Sequence, residues 1–479
     1  LLPPDEKRRR HRRERLIAAA VLILLAAATA AAVFYVRRSG EEDPAARQAY
    51  VPTPTRITPE VELLQEYIRF DTSNPPGNER AAAEWLAGHL RAGGVEAEII
   101  EAAPGRSNVY ARIRGKRRDG ALLLLHHIDV VPAGPNGWTR PPFSAEIRLD
   151  QLYGRGALDM KGTGIVFLRA FLDIAARSEP PAHDLVFLAV ADEETGSHYG
   201  VRWLLKHRPD VFEGVTFALN EGGITEMMQE QVTYYGIEVG TKLSVAVRLA
   251  APSRQALQKA RIALEPRMSP RREPERVIPA VRRFFRDIAP LRREFRDELA
   301  DIDAAIAAGD FWRLPVGYLE LTQNNIFAEA VTERPEGGFE MRTVMINLPD
   351  EDADRLIADL ETRVRPFGVK IAAIEEKIGP VPTSPTETLL WNLLAEEAAA
   401  TFRTRVGTEV LNRSVSDSRF LRQTGIVAYG ITPFAVDFFQ SDSIHGTDER
   451  LRVEYFTAGV AFMRRLIARW AVTENVTGA

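Results

Sequence analysis

Two short stretches constrain this chain most. Residues 121–125 (ALLLL) and 185–190 (LVFLAV) carry no polar side chain, and each runs straight into a cluster of histidines or acids. A strand with one wetted face alternates polar and apolar residues, so an unbroken apolar run of this length predicts a strand buried on both faces. Helical patterns follow them, at residues 163–176 and 200–207. Strands alternating with helices predict an α/β layer with a largely parallel sheet. Functional groups in such sheets collect at the carboxyl ends of the strands. At 479 residues the chain exceeds one ordinary core, and about two soluble domains plus extras are expected.

Cysteine is absent, which excludes a disulfide scaffold, a thiol nucleophile and a cysteine-ligated zinc site. Any metal must be held by His, Asp and Glu. Nine Lys/Arg against three acids put residues 1–38 at +6 and leave the remainder at −10 within a total of −4. An acidic globular part argues against nucleic acid as a partner.

Residues 16–36 form an uninterrupted apolar run, long enough to span a bilayer as a helix. The basic tail at residues 1–15 precedes it, so the positive-inside rule places the globular part across the membrane. The rival is a cleavable signal peptide ending near Ala28-Thr29-Ala30, which would make the protein secreted. Residues 37–57 read as an exposed linker.

The folded part opens with Thr58 as N-cap and Pro59 as first helical residue. A second helix is predicted over 79–92, and strands over 95–101, 108–114 and 215–219. From residue 243 the pattern changes to strands (243–249, 341–348), each followed by a helix (253–264, 352–364). This predicts an inserted smaller α+β domain over 243–378, leaving 58–242 and 379–479 as one discontinuous α/β domain. Within the insert, residues 277–307 are Arg-rich and helical, with Phe284, Ile288, Leu291 and Phe295 on one side. That stripe either meets a membrane or partner or packs on its own domain, and the second is the expectation.

The chemistry lies where the apolar runs end. His126-His127-Ile128-Asp129 follows the first: His127 can bind a metal while Asp129 orients it, although a strand-end His is more often a packed or surface residue. Asp159, in Gly154-Arg155-Gly156-Ala157-Leu158-Asp159-Met160-Lys161-Gly162, is either a helix cap or a ligand. Asp192-Glu193-Glu194 follows the second run. Three consecutive acids there are costly unless a cation neutralises them or the turn is solvated. One Glu could bind a metal while its neighbour takes a proton from water. Asn220-Glu221-Gly222-Gly223 repeats the theme, and His445 sits in Ser443-Ile444-His445-Gly446-Thr447-Asp448-Glu449.

The ordered combination LLLLHHIDVVPAG, WTRPPF, YGRGALDMKGTG, FLAVADEETGS, NEGG and IHGTDER resembles the M20 family of metallopeptidases and amidohydrolases. That group includes carboxypeptidase S, aminoacylase-1, glutamate carboxypeptidase and succinyl-diaminopimelate desuccinylase. The resemblance covers residues 58–468 and includes SDSRFLRQTGIVAYG before the final His. The N-terminal anchor and the long insertion before Gln323 look most like the carboxypeptidase S branch.

The resemblance implies a di-zinc aminopeptidase-like catalytic domain with an inserted lid, through which such chains can dimerise. It implies two zinc ions, with cobalt or manganese as substitutes. His127 and Glu221 would hold one ion, Glu194 and His445 the other, with Asp159 bridging. Asp129 would orient His127, Glu193 would be the general base, and Arg419 would hold a substrate carboxylate. The implied reaction is hydrolysis of an amide beside a free carboxylate. Alternatives are deacylation of N-acyl amino acids, or a catalytically weakened metal-binding protein that recognises peptides.

One departure stands out. The family's lid presents a His in a Gly-His-Ser-Ser motif, but this chain has Arg248-Leu249-Ala250-Ala251-Pro252-Ser253-Arg254, and none of its eight histidines lies in 243–378. The family's Arg in a later lid strand is also missing, where residues 344–349 read VMINLP. His126 or Arg254 could substitute as the oxyanion donor, or substrate and rate have diverged.

Overall fold

The computed structural model describes residues 55–475, apart from 229–230, 268–270, 272, 404–406 and 413–414. The predicted anchor at 16–36 lies outside the described residues. Among those described, no helix is long and apolar enough to cross a membrane.

A ten-stranded mixed sheet forms the main body. Its order is Ala97–Ala103, Arg106–Ile113, His183–Val190, Arg117–His127, Val215–Asn220, Val427–Gly430, Gln231–Thr241, Ile224–Met228 and Val436–Asp437, with Gly407–Asn412 pairing on Gln231–Thr241. The parallel character expected from sequence holds at the centre, where His183–Val190, Arg117–His127, Val215–Asn220 and Val427–Gly430 run side by side. The pairs of Ala97–Ala103, Arg106–Ile113 and His183–Val190 on one side, and of Val427–Gly430, Gln231–Thr241 and Ile224–Met228 on the other, are antiparallel, while Gly407–Asn412 and Val436–Asp437 run parallel to their neighbours.

The apolar runs are explained by what covers each face. Leu122, Leu124, Phe187 and Ala189 point into a core made with helices Pro59–Ile68, Lys161–Ala175 and Val453–Val472. Leu123, Leu125, Val186, Leu188 and Val190 point the other way, onto Val201 and Leu204 of helix Val201–His207 and Phe420 and Leu421 of helix Ser418–Gln423. Successive strand side chains alternate faces, so two apolar layers require an apolar residue at every position. The first helix starts as its sequence dictates, with Thr58 Oγ1 accepting from Val61 N–H at 3.4 Å.

A separate antiparallel sheet carries Asn325–Ala328, Phe339–Asn347, Leu243–Ala251 and Lys370–Lys377 in that order, with Thr332–Glu333 on Phe339–Asn347. Helices Arg254–Leu264 and Ala353–Val364 cover one face, burying Val245, Val247, Leu249, Met341 and Met345 against Leu257 and Leu360. Ser253 and Asp352 cap those helices through their side-chain oxygens, at 3.2 Å and 3.0 Å.

The Arg-rich segment is broken into several helices, the first being Pro279–Ile288. Its stripe is covered, but not by its own domain alone as expected. Phe284 and Ile288 pack with Tyr234, Val410 and Leu411 on the edge of the main sheet.

Candidate metal centre

Three central strands deliver their last residues to one place. The parallel register sets His127 beside Val190, and Ile128 N–H donates to Val190 O at 2.7 Å. Asp192, Glu193 and Glu194 leave the second strand in a tight turn, and Glu221 leaves Val215–Asn220. The glycines after Glu221 have a steric reason. Gly222 has φ +123° and passes over Glu238, whose Oε2 would lie 2.8 Å from an added Cβ.

Asp159 lies between two imidazoles. Its Oδ1 is 3.0 Å from His127 Nε2 and its Oδ2 is 3.0 Å from His445 Nε2. Glu221 stands 3.5 Å from His127 Nε2, and Glu194 3.4 Å from His445 Nε2. Donor atoms of His127, Glu193 and Glu221 lie within 4.8 Å of one another, as do those of His127, Asp159 and Glu194. The structure therefore gathers His127, Asp159, Glu193, Glu194, Glu221 and His445 into one cluster.

The charges explain why such a cluster needs cations. Burial and the Glu221 charge push Glu193 well above the usual carboxylate range. Burial and Asp159 push Glu221 up to about 8. Hydrogen bonds to Asp159 and Glu194 raise His445 to about 10. Burial opposes ionisation of Asp159, but hydrogen bonds from the two imidazoles overcome it and hold the carboxyl far below its ordinary value. Glu194 Oε1 is buried with no hydrogen-bond partner. Two histidines and several carboxylates with an unspent buried acceptor fit divalent metal, and the all-N/O donor set suits zinc.

The supporting residues do more than the sequence reading foresaw. His127 Nδ1 meets the main-chain carbonyl of Asp129 at 2.8 Å, with the Asp129 carboxylate at 3.7 Å. That carboxylate instead accepts the backbone N–H of Glu193 and of Glu194, both at 3.2 Å, and Asn74 Nδ2 at 2.8 Å. Asp129 thus orients His127 through its backbone and holds the acidic turn through its side chain.

Asp192 adopts a left-handed backbone, φ +71°, which costs an L-residue about 1–2 kcal/mol. Its carboxylate secures the turn by accepting from Arg106 at 2.8 Å, Asn74 at 3.0 Å and the Thr195 hydroxyl at 2.5 Å. Asn74 belongs to a segment that reads in sequence only as a helix breaker.

The remaining predicted residues lie elsewhere. Arg419 is 1% exposed, donates to Ser416 O at 3.1 Å, and has Glu376 of the smaller sheet 3.5 Å from Nη2. Neither proposed substitute for the lid His is free to serve. His126 is fully buried, 3.2 Å from the Tyr67 hydroxyl, and burial lowers its pKa to about 3. Arg254 donates to Val331 O at 2.8 Å and lies over the Phe339 ring within the smaller domain. Sequence reasoning missed Glu449, quoted within IHGTDER without a role. Fully buried, it accepts from Arg155 at 2.7 Å and from the backbone N–H of Gly156, Leu158 and Asp159 at 2.9, 2.8 and 3.2 Å.

With this geometry in place, comparison with known proteins is decisive at one level. The sequence profile of peptidase family M20/M25/M40 matches residues 123–469. The chain belongs to that family. A succinyl-diaminopimelate desuccinylase of Wolbachia sp. subsp. Brugia malayi (strain TRS) is 34% identical over 151 residues, which is 30% of this chain and 36% of that protein. The chain thus aligns with little more than a third of that relative's length.

The M20 fold extends further. An M20 family metallo-carboxypeptidase from Sulfolobus solfataricus superposes with TM-score 0.64 at 17% identity, covering 87% of this chain and 100% of that one. Human carnosine dipeptidase 1 gives TM-score 0.64 at 14% identity, covering 86% and 96%. At these identities the fold is what is shared: a main mixed sheet plus a smaller antiparallel lid sheet.

Proposed function

We propose that this M20 chain is a metal-dependent hydrolase of amide bonds beside a free carboxylate, of carboxypeptidase or dipeptidase type. The observation that carries the proposal is Glu193 set among five further metal-binding side chains, with its proton affinity raised by burial and Glu221. His127 and Glu221 would hold one metal ion, zinc by its donor set, and Glu194 and His445 the other, with Asp159 placed between the two histidines. When bound, such ions would supply Lewis-acid chemistry, polarising a scissile carbonyl and lowering the pKa of a water toward neutrality. Glu193 accepts the proton of the attacking water and passes it to the leaving amine. Asp129 and Asp192 fix the turn that aims Glu193. Arg419 takes the substrate carboxylate. No lid imidazole is present in 243–378, so charge developing on the carbonyl oxygen is stabilised without one.

A second reading, deacylation of N-acyl amino acids, uses the same groups, and the desuccinylase relative gives it support. Retention of Glu193 speaks against a pure peptide binder, which needs no base. The run at 16–36, with its basic flank, is proposed as the membrane anchor that leaves the hydrolase outside the cytoplasm.

The test is amine release by zinc-loaded protein from dipeptides and N-acyl amino acids. Glu193→Gln should lower turnover by about 10²–10⁴-fold while the metal content stays the same. An undiminished rate in that variant contradicts the mechanism, and the preferred panel member separates peptidase from deacylase.

Metal binding should also depend on pH. Without metal, burial and Asp159 raise Glu221 to about 8, and hydrogen bonds to Asp159 and Glu194 raise His445 to about 10, so both hold a proton at neutral pH. These protons must leave when zinc binds, as must that of His127, whose pKa, against the pull of burial, is raised by the Glu221 and Asp159 carboxylates, so apparent affinity should climb with pH through the neutral range. Competition titrations with a chelator from about pH 6 upward measure this, and a flat profile contradicts it.

A further inference from the structure

The guanidinium assigned above to the substrate carboxylate already faces a carboxylate, one supplied by the lid. Glu376 is the next-to-last residue of lid strand Lys370–Lys377, just before the chain returns to the main body. Arg419 lies on helix Ser418–Gln423 of that body, with Nη2 3.5 Å from Glu376 Oε1. Ser244, second residue of the first lid strand Leu243–Ala251, donates to the other oxygen of Glu376 at 2.5 Å. Glu376 therefore sits where both chain crossings between lid and body converge.

The pairing is close but under-made. A guanidinium and a carboxylate can form two parallel hydrogen bonds. Here Arg419 Nε and Glu376 Oε1 are both buried with no hydrogen-bond partner among the described residues. Beside them Ser416 Oγ and Asp417 Oδ2 are also buried without partners. The remaining contacts of Arg419 are Ser416 O at 3.1 Å and the face of the Phe420 ring at 4.5 Å. A buried donor left unsatisfied is unfavourable, and an incoming carboxylate can accept from Arg419 Nε and Ser416 Oγ, which Glu376 does not.

We propose that Glu376 is an autoinhibitory place-holder: it occupies the substrate carboxylate's position on Arg419 until a substrate carboxylate displaces it. This rests on the proposed function, in which Arg419 binds that carboxylate. Removing the Glu376 charge then ends the competition for Arg419. An uncharged C-terminus gains nothing from its removal.

The experiment compares a dipeptide with its C-terminal amide on the zinc-loaded full chain, in wild type, Glu376→Gln, Arg419→Gln and the double variant. Gln is isosteric and can keep the Ser244 hydrogen bond. Expected is a KM for the free acid about fivefold or more lower in Glu376→Gln. The amide should be unchanged, and the Glu376→Gln effect should vanish in the Arg419→Gln background. Equal effects on acid and amide, or an effect that persists without Arg419, would show a merely structural pair and overturn the proposal.

If wild type hydrolyses neither compound, the functional reading fails on its own. The place-holder is then judged by calorimetric binding of free alanine against alaninamide. Tighter alanine binding in Glu376→Gln supports it, and equal binding overturns it. Where Gln at 376 prevents folding, Glu376→Ala carries the same comparison.

Discussion

Asp159→Asn should abolish hydrolysis and strip the centre of metal. The native carboxylate presents one oxygen to each imidazole, both at 3.0 Å, and the two imidazoles hold it ionised despite burial. An amide keeps the shape but offers an acceptor on one side only, and its NH₂ faces a histidine or a cation on the other. It also removes a charge that pairs with both histidines at 3.0 Å. The loss in turnover should be at least that of deleting a single transition-state donor, about 10²–10³-fold. Elemental analysis should show zinc content falling with activity. An Asn variant that keeps full metal and rate would mean that Asp159 is not a metal ligand and only pairs with the two imidazoles.

Arg155→Met should be the most destabilising single change near the centre. Arg155 is 2% exposed, and Nη1 holds the fully buried Glu449 at 2.7 Å while Nη2 donates to Gly446 O at 2.8 Å. This one side chain ties the loop bearing Asp159 to the turn bearing His445. Its removal leaves Glu449 charged and buried without its partner, a loss of about 3–5 kcal/mol for a broken buried pair. Denaturant unfolding measures it. Glu449→Gln should cost less stability, because Gln retains an acceptor, but should weaken zinc binding through misplacement of Asp159. Partners that orient metal ligands are typically worth about 10–100-fold in affinity. A stability loss within experimental error for Arg155→Met would contradict this clamp.

The legible parts of this molecule share a physical cause. Residues 121–125 and 185–190 declare themselves because two cores, one on each face, leave no position for a polar residue. The metal-binding side chains are legible because they follow those strands directly. Strand Gln231–Thr241 escapes notice because Gly236 and Gly240 dilute its strand signal and a buried acid interrupts it. That acid, Glu238, is kept by Arg422 at 2.7 Å, a partner 184 positions away.

The same distance effect hides Asp129's second task, which depends on the fold of the acidic turn rather than on H-x-D spacing. It hides the place-holder as well, since nothing local to Arg419 announces Glu376. The Arg-rich helix was readable as an apolar stripe, but what covers that stripe, strand Gly407–Asn412, comes from more than a hundred residues downstream.

The account turns on two ions acting with one base, and a zinc titration of metal-stripped protein tests this most directly, with bound metal and amine release followed together. The account predicts two zinc ions per chain, with hydrolysis reaching its maximum only as the second binds, and Glu193→Gln taking up both ions while staying inert. Hydrolysis that persists in the stripped protein, or that is complete with a single ion bound, would contradict it.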